Sequence, residues 1–274
     1  MKTLVYMLLI FMVSKVHSTV AQQDVLAKYL TVLPKDLKLK EQTPQKYRMT
    51  ADYFNGDIFG NFMNKTRVSG DYTRGFKDGT VKWNNVKIAN GSTREGLFEN
   101  PVSQDYMENF SYAPSDKMLE AGSFSSFPPN SFHTKNLVWD MLAIETFAWV
   151  YFDSLRFNQT FRPGNLKDEI PLAGEGTFKN RDIQLKWTGI SQMNEELCAL
   201  IEYRTFDNPL AVDTDQIKIK GRSHYWGTIW VSLKDKQIEY ATMYEDVVMD
   251  MKTKSQANGQ LINTTREIRF EKID

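Results

Sequence analysis

Residues 135–152, KNLVWDMLAIETFAWVYF, constrain the fold more than any other stretch of this chain. They are almost wholly apolar, yet they include the carboxylates Asp140 and Glu145. A helix of that length rises about 27 Å, short for a bilayer span, and a carboxylate at the centre of a span is costly. A helix apolar nearly all round belongs instead within protein, or between protein and a bound ligand. On a wheel of about 100° per residue, Glu145 falls among Val138, Met141, Leu142, Trp149 and Phe152, the bulkiest arc. Asp140 falls roughly 140° away, near Asn136, Ala143 and Phe147, at an edge open to water or a partner. A carboxylate in the apolar arc must be paired, hydrogen-bonded or protonated, because a lone buried charge is expensive. Either an Arg, Tyr or Trp donor of a surrounding sheet satisfies Glu145, or a ligand does, with Glu145 orienting a polar group or acting as an acid of raised pKa.

The rest of the chain reads as strands. KYRMTADYF, the region DIFGNFMNKTRVSGDYTRGF and TVKWNNVKIA favour β structure and are punctuated by NGD, KDG and NGS, which are turn chemistry. PVSQDYMENF predicts a short helix with Pro101 near its start, and GSFSSFPPNSF a loop. RPGN at 162–165 and AGEG at 173–176 are turns. After Thr177, DIQLKWTGI and ELCALIEYRTF alternate, HYWGTIWVSL and QIEYATMYEDVVMDM form a long hairpin around Lys234-Asp235-Lys236, and LINTTREIRFEKI closes the chain. Consecutive hairpins without interposed helices make an antiparallel meander. The expected class is mainly β (α+β): a curved antiparallel sheet or open barrel with one long internal or lid helix at about 135–152. The expected organisation is a signal peptide over 1–21, an arm over 22–45, and a single β-rich domain over 46–274 with a helical insertion at about 101–153. A short helix is expected in the arm, in QQDVLAKYLTVL.

Lys2, an apolar run from Leu4 to Val13 and small residues up to Ala21 read as an export signal cleaved near Ala21. Removing Lys2 and Lys15 from 34 basic residues leaves 32 against 34 acidic ones, a net −2. That balance gives no electrostatic case for nucleic acid or an anionic membrane. Cys198 is the one cysteine, so an exported chain must rely on its core rather than on internal disulfides, which suits a bacterial envelope, periplasmic or secreted. Cys198 lies in a strand pattern and reads as an inert buried thiol. N-x-[ST] sequons stand at Asn64, Asn90, Asn109, Asn158 and Asn263, a modest excess over the about two expected from composition, and in a bacterial host they carry no meaning.

Motifs for chemistry are sparse. His133 and His224 stand in no metal-ligand spacing, and there is no Gly-rich phosphate loop, no GxSxG elbow and no paired-cysteine motif. No metal and no cofactor are expected. A second candidate surface is the long hairpin, where alternation puts His224, Trp226, Thr228 and Trp230 on one face, with Tyr240, Tyr244 and Asp246 on the partner strand. Large rings with a few polar donors are what a ligand pocket needs, although the same residues suit a plain core or a sugar-binding stack. In layout the chain resembles exported lipid carriers, in which a half-barrel with helical lids holds an acyl chain. The expected function is non-enzymatic binding of an apolar or amphipathic small molecule, with Glu145, Trp149, Phe152, His224, Trp226, Trp230, Tyr240 and Tyr244 as ligand-binding residues. One alternative is an enzyme using carboxylate acid–base chemistry on a glycan or lipid, with Glu145 as acid and Asp140 or His224 assisting. The other is a structural component of the envelope.

Overall fold

The computed structural model describes residues 44–274 apart from 76, 78, 165–168 and 254–257. The predicted signal, and the arm up to residue 43 with its short helix, lie outside the described residues. The N-terminal strands are β1 (Gln45–Asp57), β2 (Phe62–Arg74), β3 (Val81–Gly91), β4 (Glu99–Ser103) and β5 (Ser111–Tyr112). Helix α1 (Phe132–Glu145) follows, continued by a π-helical turn over Thr146–Val150 and a 3-10 turn over Phe152–Ser154. Then come β6 (Thr160–Phe161), β7 (Glu169–Pro171), β8 (Gly176–Lys179), β9 (Gln184–Met193), β10 (Glu196–Arg204), β11 (Asn208–Asp213), β12 (Ile217–Ser232), β13 (Ile238–Thr253) and β14 (Gln260–Ile273).

These strands form a single curved antiparallel sheet that does not close into a barrel. Its main path runs β4-β3-β2-β1-β14-β13-β12-β10-β9-β6, with β5 beside β3 and β11, β8 and β7 branching from β12. The pairing of β1 with β14, from Lys46 opposite Ile273 to Asp57 opposite Ile262, joins the two strand-rich halves. The predicted long hairpin is β12 with β13, in register from Ile217 opposite Thr253 to Trp230 opposite Tyr240.

Two local expectations are corrected. The stretch predicted as a helix around Pro101 is the exposed strand β4 followed by one 3-10 turn at Asp105–Met107. β4 lies at the edge of the sheet, where a proline without an N–H is tolerated. The NGD turn lies one step later than expected. Asn55-Gly56-Asp57 ends β1 with an irregularity, and the chain reverses over the next residues, where the Asp57 carboxylate accepts the Phe59 and Asn61 N–H groups at 2.9 Å each.

Strand alternation sends one face inward. Met49, Ala51, Val68, Tyr72, Trp83, Ile201, Ile229, Ala241, Ile268 and Phe270 are buried there with Leu137, Val138, Met141 and Ile144 of α1 in one core. At about 25 cal/mol per Å², burying such side chains contributes roughly 1.5–3 kcal/mol each, which explains how a sheet this large holds one helix in place.

Candidate functional site

The contact between α1 and the sheet is where charge meets the core. Glu145, at the end of α1, is buried, and both oxygens find partners on β2. Oε1 accepts from the Tyr72 hydroxyl at 3.3 Å and Oε2 from Arg74 Nε at 3.2 Å. Arg74 is further held by the Gly79 carbonyl and lies over the Trp149 ring, 5.4 Å from its centroid. Of the two readings of Glu145, the sheet partner is the one observed. Glu145→Gln is expected to lower stability by about 1–3 kcal/mol, because a charge-assisted pair becomes a weaker neutral contact beside a buried guanidinium. A urea midpoint lowered at unchanged m-value checks this.

Of the two expectations for Asp140 at the helix edge, water or a partner, the structure shows the partner. Asp140 is buried and pairs with Arg266 of β14, which pairs in turn with Glu245 of β13; Ser223 of β12 donates to the same Glu245 carboxylate. The wheel placed Asp140 correctly away from Glu145 but assumed one buried face. A curved sheet covers the helix over a wider arc, so the flank that carries Asp140 is buried as well. Nearby, Asn136 donates to the Tyr53 hydroxyl at 3.2 Å, and the His133 ring meets Tyr53 edge-on at 4.7 Å. Burial is the main cause that pushes the Asp140 carboxyl up to about 6, with Glu245 adding repulsion and Arg266 opposing. Burial first, and the Arg266 charge second, hold His133 down at about 4.

These two groups act on stability with opposite signs. Asp140, raised in the folded state, favours folding below its unfolded pKa of about 4, and that contribution is lost as pH rises through about 6. His133, lowered, favours folding above about 6.5, and its contribution is lost as pH falls through about 4. They largely cancel in the native protein between pH 4 and 6. Asp140→Asn removes the first and leaves the second. Thermal melts of that variant are expected to fall on acidification over this window more steeply than those of the parent, by an extra 2–3 kcal/mol or so. An equal slope for both proteins contradicts the assignment.

The remaining predicted site residues divide between two faces of the sheet. Trp149 donates from Nε1 to the Lys236 carbonyl at 2.7 Å, and Phe152 lies under Lys236 Nζ at 5.2 Å, both at the C-terminal end of the helical segment. His224, Trp226, Trp230, Tyr240 and Tyr244 point to the opposite face, away from α1. The face of β12 toward the core is the other one, with Tyr225, Ile229 and Val231 buried. On the outer face His224 stacks on Trp226 at 5.4 Å and 17°, and Trp226 on Tyr244 at 6.0 Å and 23°. Trp230 meets Tyr240 at 5.4 Å, and His224 Nε2 lies 3.5 Å from Asp246. The residues expected to share one pocket therefore do not meet. The acid–base set of Glu145, Asp140 and His224 is likewise not assembled: two members are bound into separate ion pairs on the concave side, and the third lies on the convex side.

Arg266, Glu245, Arg74 and Tyr72 complete the buried charge system; an Arg and a Tyr donor for Glu145 are expected by type, whereas Arg266 and Glu245 are not anticipated. Their signal was legible as register: Arg266 falls in step with Ile262, Thr264, Ile268 and Phe270, and Glu245 with Ala241, Met243 and Val247. A charge in an apolar register on each of two paired strands asks for a common partner. Among the described residues, no helix is long and apolar enough to cross a membrane, and no group of three or more His, Cys, Asp or Glu could hold a metal ion.

The fold and this site define a class: a curved antiparallel sheet wrapped around one ion-paired helix. No family model and no curated protein matches the chain. Among solved structures it is similar to one described as lipid-protein interactions in lipovitellin, at 12% identity and a TM-score of 0.45, over 86% of this chain and 26% of that one. It is also similar to a DUF1329 family protein from Desulfovibrio piger, at 10% identity and a TM-score of 0.16, over 85% of this chain and 88% of that one. The chain spans about a quarter of the lipovitellin chain. Likeness at these scores carries no functional argument.

Proposed function

We propose that this protein is an exported, non-enzymatic carrier of an apolar or amphipathic small molecule, bound on the concave face of the sheet beside the N-terminal end of α1. The observation that supports the reading is an inward-facing apolar strip. Ile217, Ile219, Met249 and Met251 continue the register of the buried core residues of β12 and β13, yet remain half-buried. Ile219 stands opposite Met251, and Met249 opposite Ile262 of β14. Methionine and isoleucine side chains adapt to an aliphatic chain, and apolar walls with few polar groups are the usual make-up of a ligand site.

The polar groups are adjacent. Thr264 of β14 donates to Asn55 of β1 at 2.7 Å, and Asn55 donates to Asn64 of β2 at 2.7 Å. An apolar strip bordered by a row of amides and a hydroxyl suits a molecule with a tail and a head. The ligand residues of this reading are thus Ile217, Ile219, Met249 and Met251, while Glu145 and Asp140 fix the helix against the sheet.

The test is to purify the mature protein, extract it with organic solvent and examine the extract by mass spectrometry, with uptake of an apolar fluorescent probe in parallel. Co-purifying lipid, or saturable uptake that drops about tenfold in the Ile219→Ser/Met251→Ser double variant, is the expected result, a loss of about 1.4 kcal/mol. A clean extract with no uptake removes the carrier reading and leaves a structural role.

A further inference from the structure

We infer that Asn109 and Asn158 carry N-linked glycans that cover two of the sheet's edge strands, β5 and β6. The inference rests on the export half of the proposed function and replaces the bacterial envelope by a host whose export route transfers N-linked sugars, since the modifying machinery meets only exported chains. All five sequon asparagines lie in the described residues, and the fold sorts them. Asn64 and Asn90 are exposed, but their amide oxygens accept from Asn55 at 2.7 Å and from the Thr66 hydroxyl at 3.0 Å. Asn263 lies within β14, half-buried, with its amide oxygen buried. Asn109 and Asn158 are different. Both are exposed turn residues in the left-handed region, at φ 61° and 57°, anchored only through the backbone by N–H groups donating to the Trp83 and Trp187 carbonyls at 3.0 and 2.8 Å. On a strand, neighbouring side chains stand about 5 Å away and crowd a branched sugar; at a turn they do not.

Their placement adds a purpose. Ser111, the hydroxyl residue of the first sequon, opens β5, which pairs with β3 at one edge of the sheet. Thr160, the hydroxyl residue of the second, opens β6, which pairs with β9 at the end of the strand path. Open edges invite pairing with another chain, and a bulky hydrated group beside them blocks that approach. In the transfer, the asparagine amide nitrogen attacks the anomeric carbon of a lipid-diphosphate-linked oligosaccharide. The C–N bond forms as the C–O bond to the diphosphate breaks; the diphosphate leaves on its lipid with the bonding pair, and one amide proton is lost.

The protein purified from its natural source is treated with peptide N-glycosidase in heavy-oxygen water and mapped by mass spectrometry, with its N-terminus sequenced on the same sample. The expected result is heavy-labelled aspartate at 109 and 158, none at 263, and an N-terminus processed near residue 21. A processed N-terminus without label at either turn position overturns the inference alone. An intact leader with unmodified asparagines overturns it together with the export reading. For the edge role, Asn109→Gln/Asn158→Gln and, independently, Ser111→Ala/Thr160→Ala are expected to shift several-fold more of the secreted protein into oligomers on gel filtration. Unchanged elution of both removes that role.

Discussion

Arg266→Met is expected to destabilise the protein by about 4 kcal/mol or more at neutral pH, enough to unfold much of a domain whose total stability is typically 5–15 kcal/mol. Arg266 is the cation between Asp140 of the helix and Glu245 of the sheet, and all three are buried. Removing it leaves two carboxylates facing each other without a counter-charge, which costs far more than the pair itself contributes. The sign of the pH response follows. Without the guanidinium the Asp140 carboxyl, already raised by burial, rises further in the folded state, so the variant regains stability as pH falls toward 4 and Asp140 takes up a proton. Chemical melts of Arg266→Met at pH 7 and pH 4.5 check this: the loss relative to the parent must shrink in acid. The triple variant Arg266→Met/Asp140→Asn/Glu245→Gln, in which no charge is left behind, is expected to recover at least half of the loss at pH 7. If the single variant melts like the parent at neutral pH, the cluster does not hold the helix.

The same cluster shows what periodicity can and cannot read. Helix α1 and the long strands were legible because each repeats one period over many residues, and the curved sheet with an internal helix follows from their order. The face of the β12–β13 hairpin that meets the helix was not legible. Both faces carry bulk, and Trp226 with Tyr244 looked more like a lining than Tyr225 with Ile229. The choice falls on the face that can be dried: Tyr225, Ile229 and Val231 offer few polar atoms, whereas His224, Thr228 and Asp246 keep their water on the convex side. The burial of Asp140 was not legible for a related reason, since a wheel ranks directions around one axis and cannot know how far a sheet curls about it. The β1–β14 pairing lies beyond any local pattern, because it joins segments some 200 residues apart in sequence, as Thr264 to Asn55 does with a separation of 209.

Gly227→Ala is the second large expected effect, and it tests the packing of the sheet rather than its charges. Gly227 lies in the middle of β12 on the concave side, where every neighbour in register has a side chain. A methyl group there would overlap the Thr242 carbonyl oxygen of β13 and stand 2.5 Å from the Tyr203 hydroxyl. That hydroxyl donates to the same Thr242 carbonyl at 2.8 Å, so the tyrosine of β10 reaches across the glycine to the strand beyond. The Tyr203 ring in turn packs against Phe147, just past α1, at 5.0 Å. The missing Cβ is therefore what lets an aromatic side chain lie flat on the sheet and meet the helical segment. Overpacking typically costs 1–3 kcal/mol where neighbours can shift, but here one neighbour is backbone held on both sides by ladder hydrogen bonds. The expected loss is about 3 kcal/mol or more, read as a lowered urea midpoint or as failure to recover soluble protein. Tyr203→Phe provides the control: it removes the hydroxyl and its hydrogen bond but adds no atom, and is expected to cost only about 1 kcal/mol. A Gly227→Ala protein as stable as the parent would mean that β12 and β13 separate there freely, and that the ring of Tyr203 does not depend on the gap beneath it.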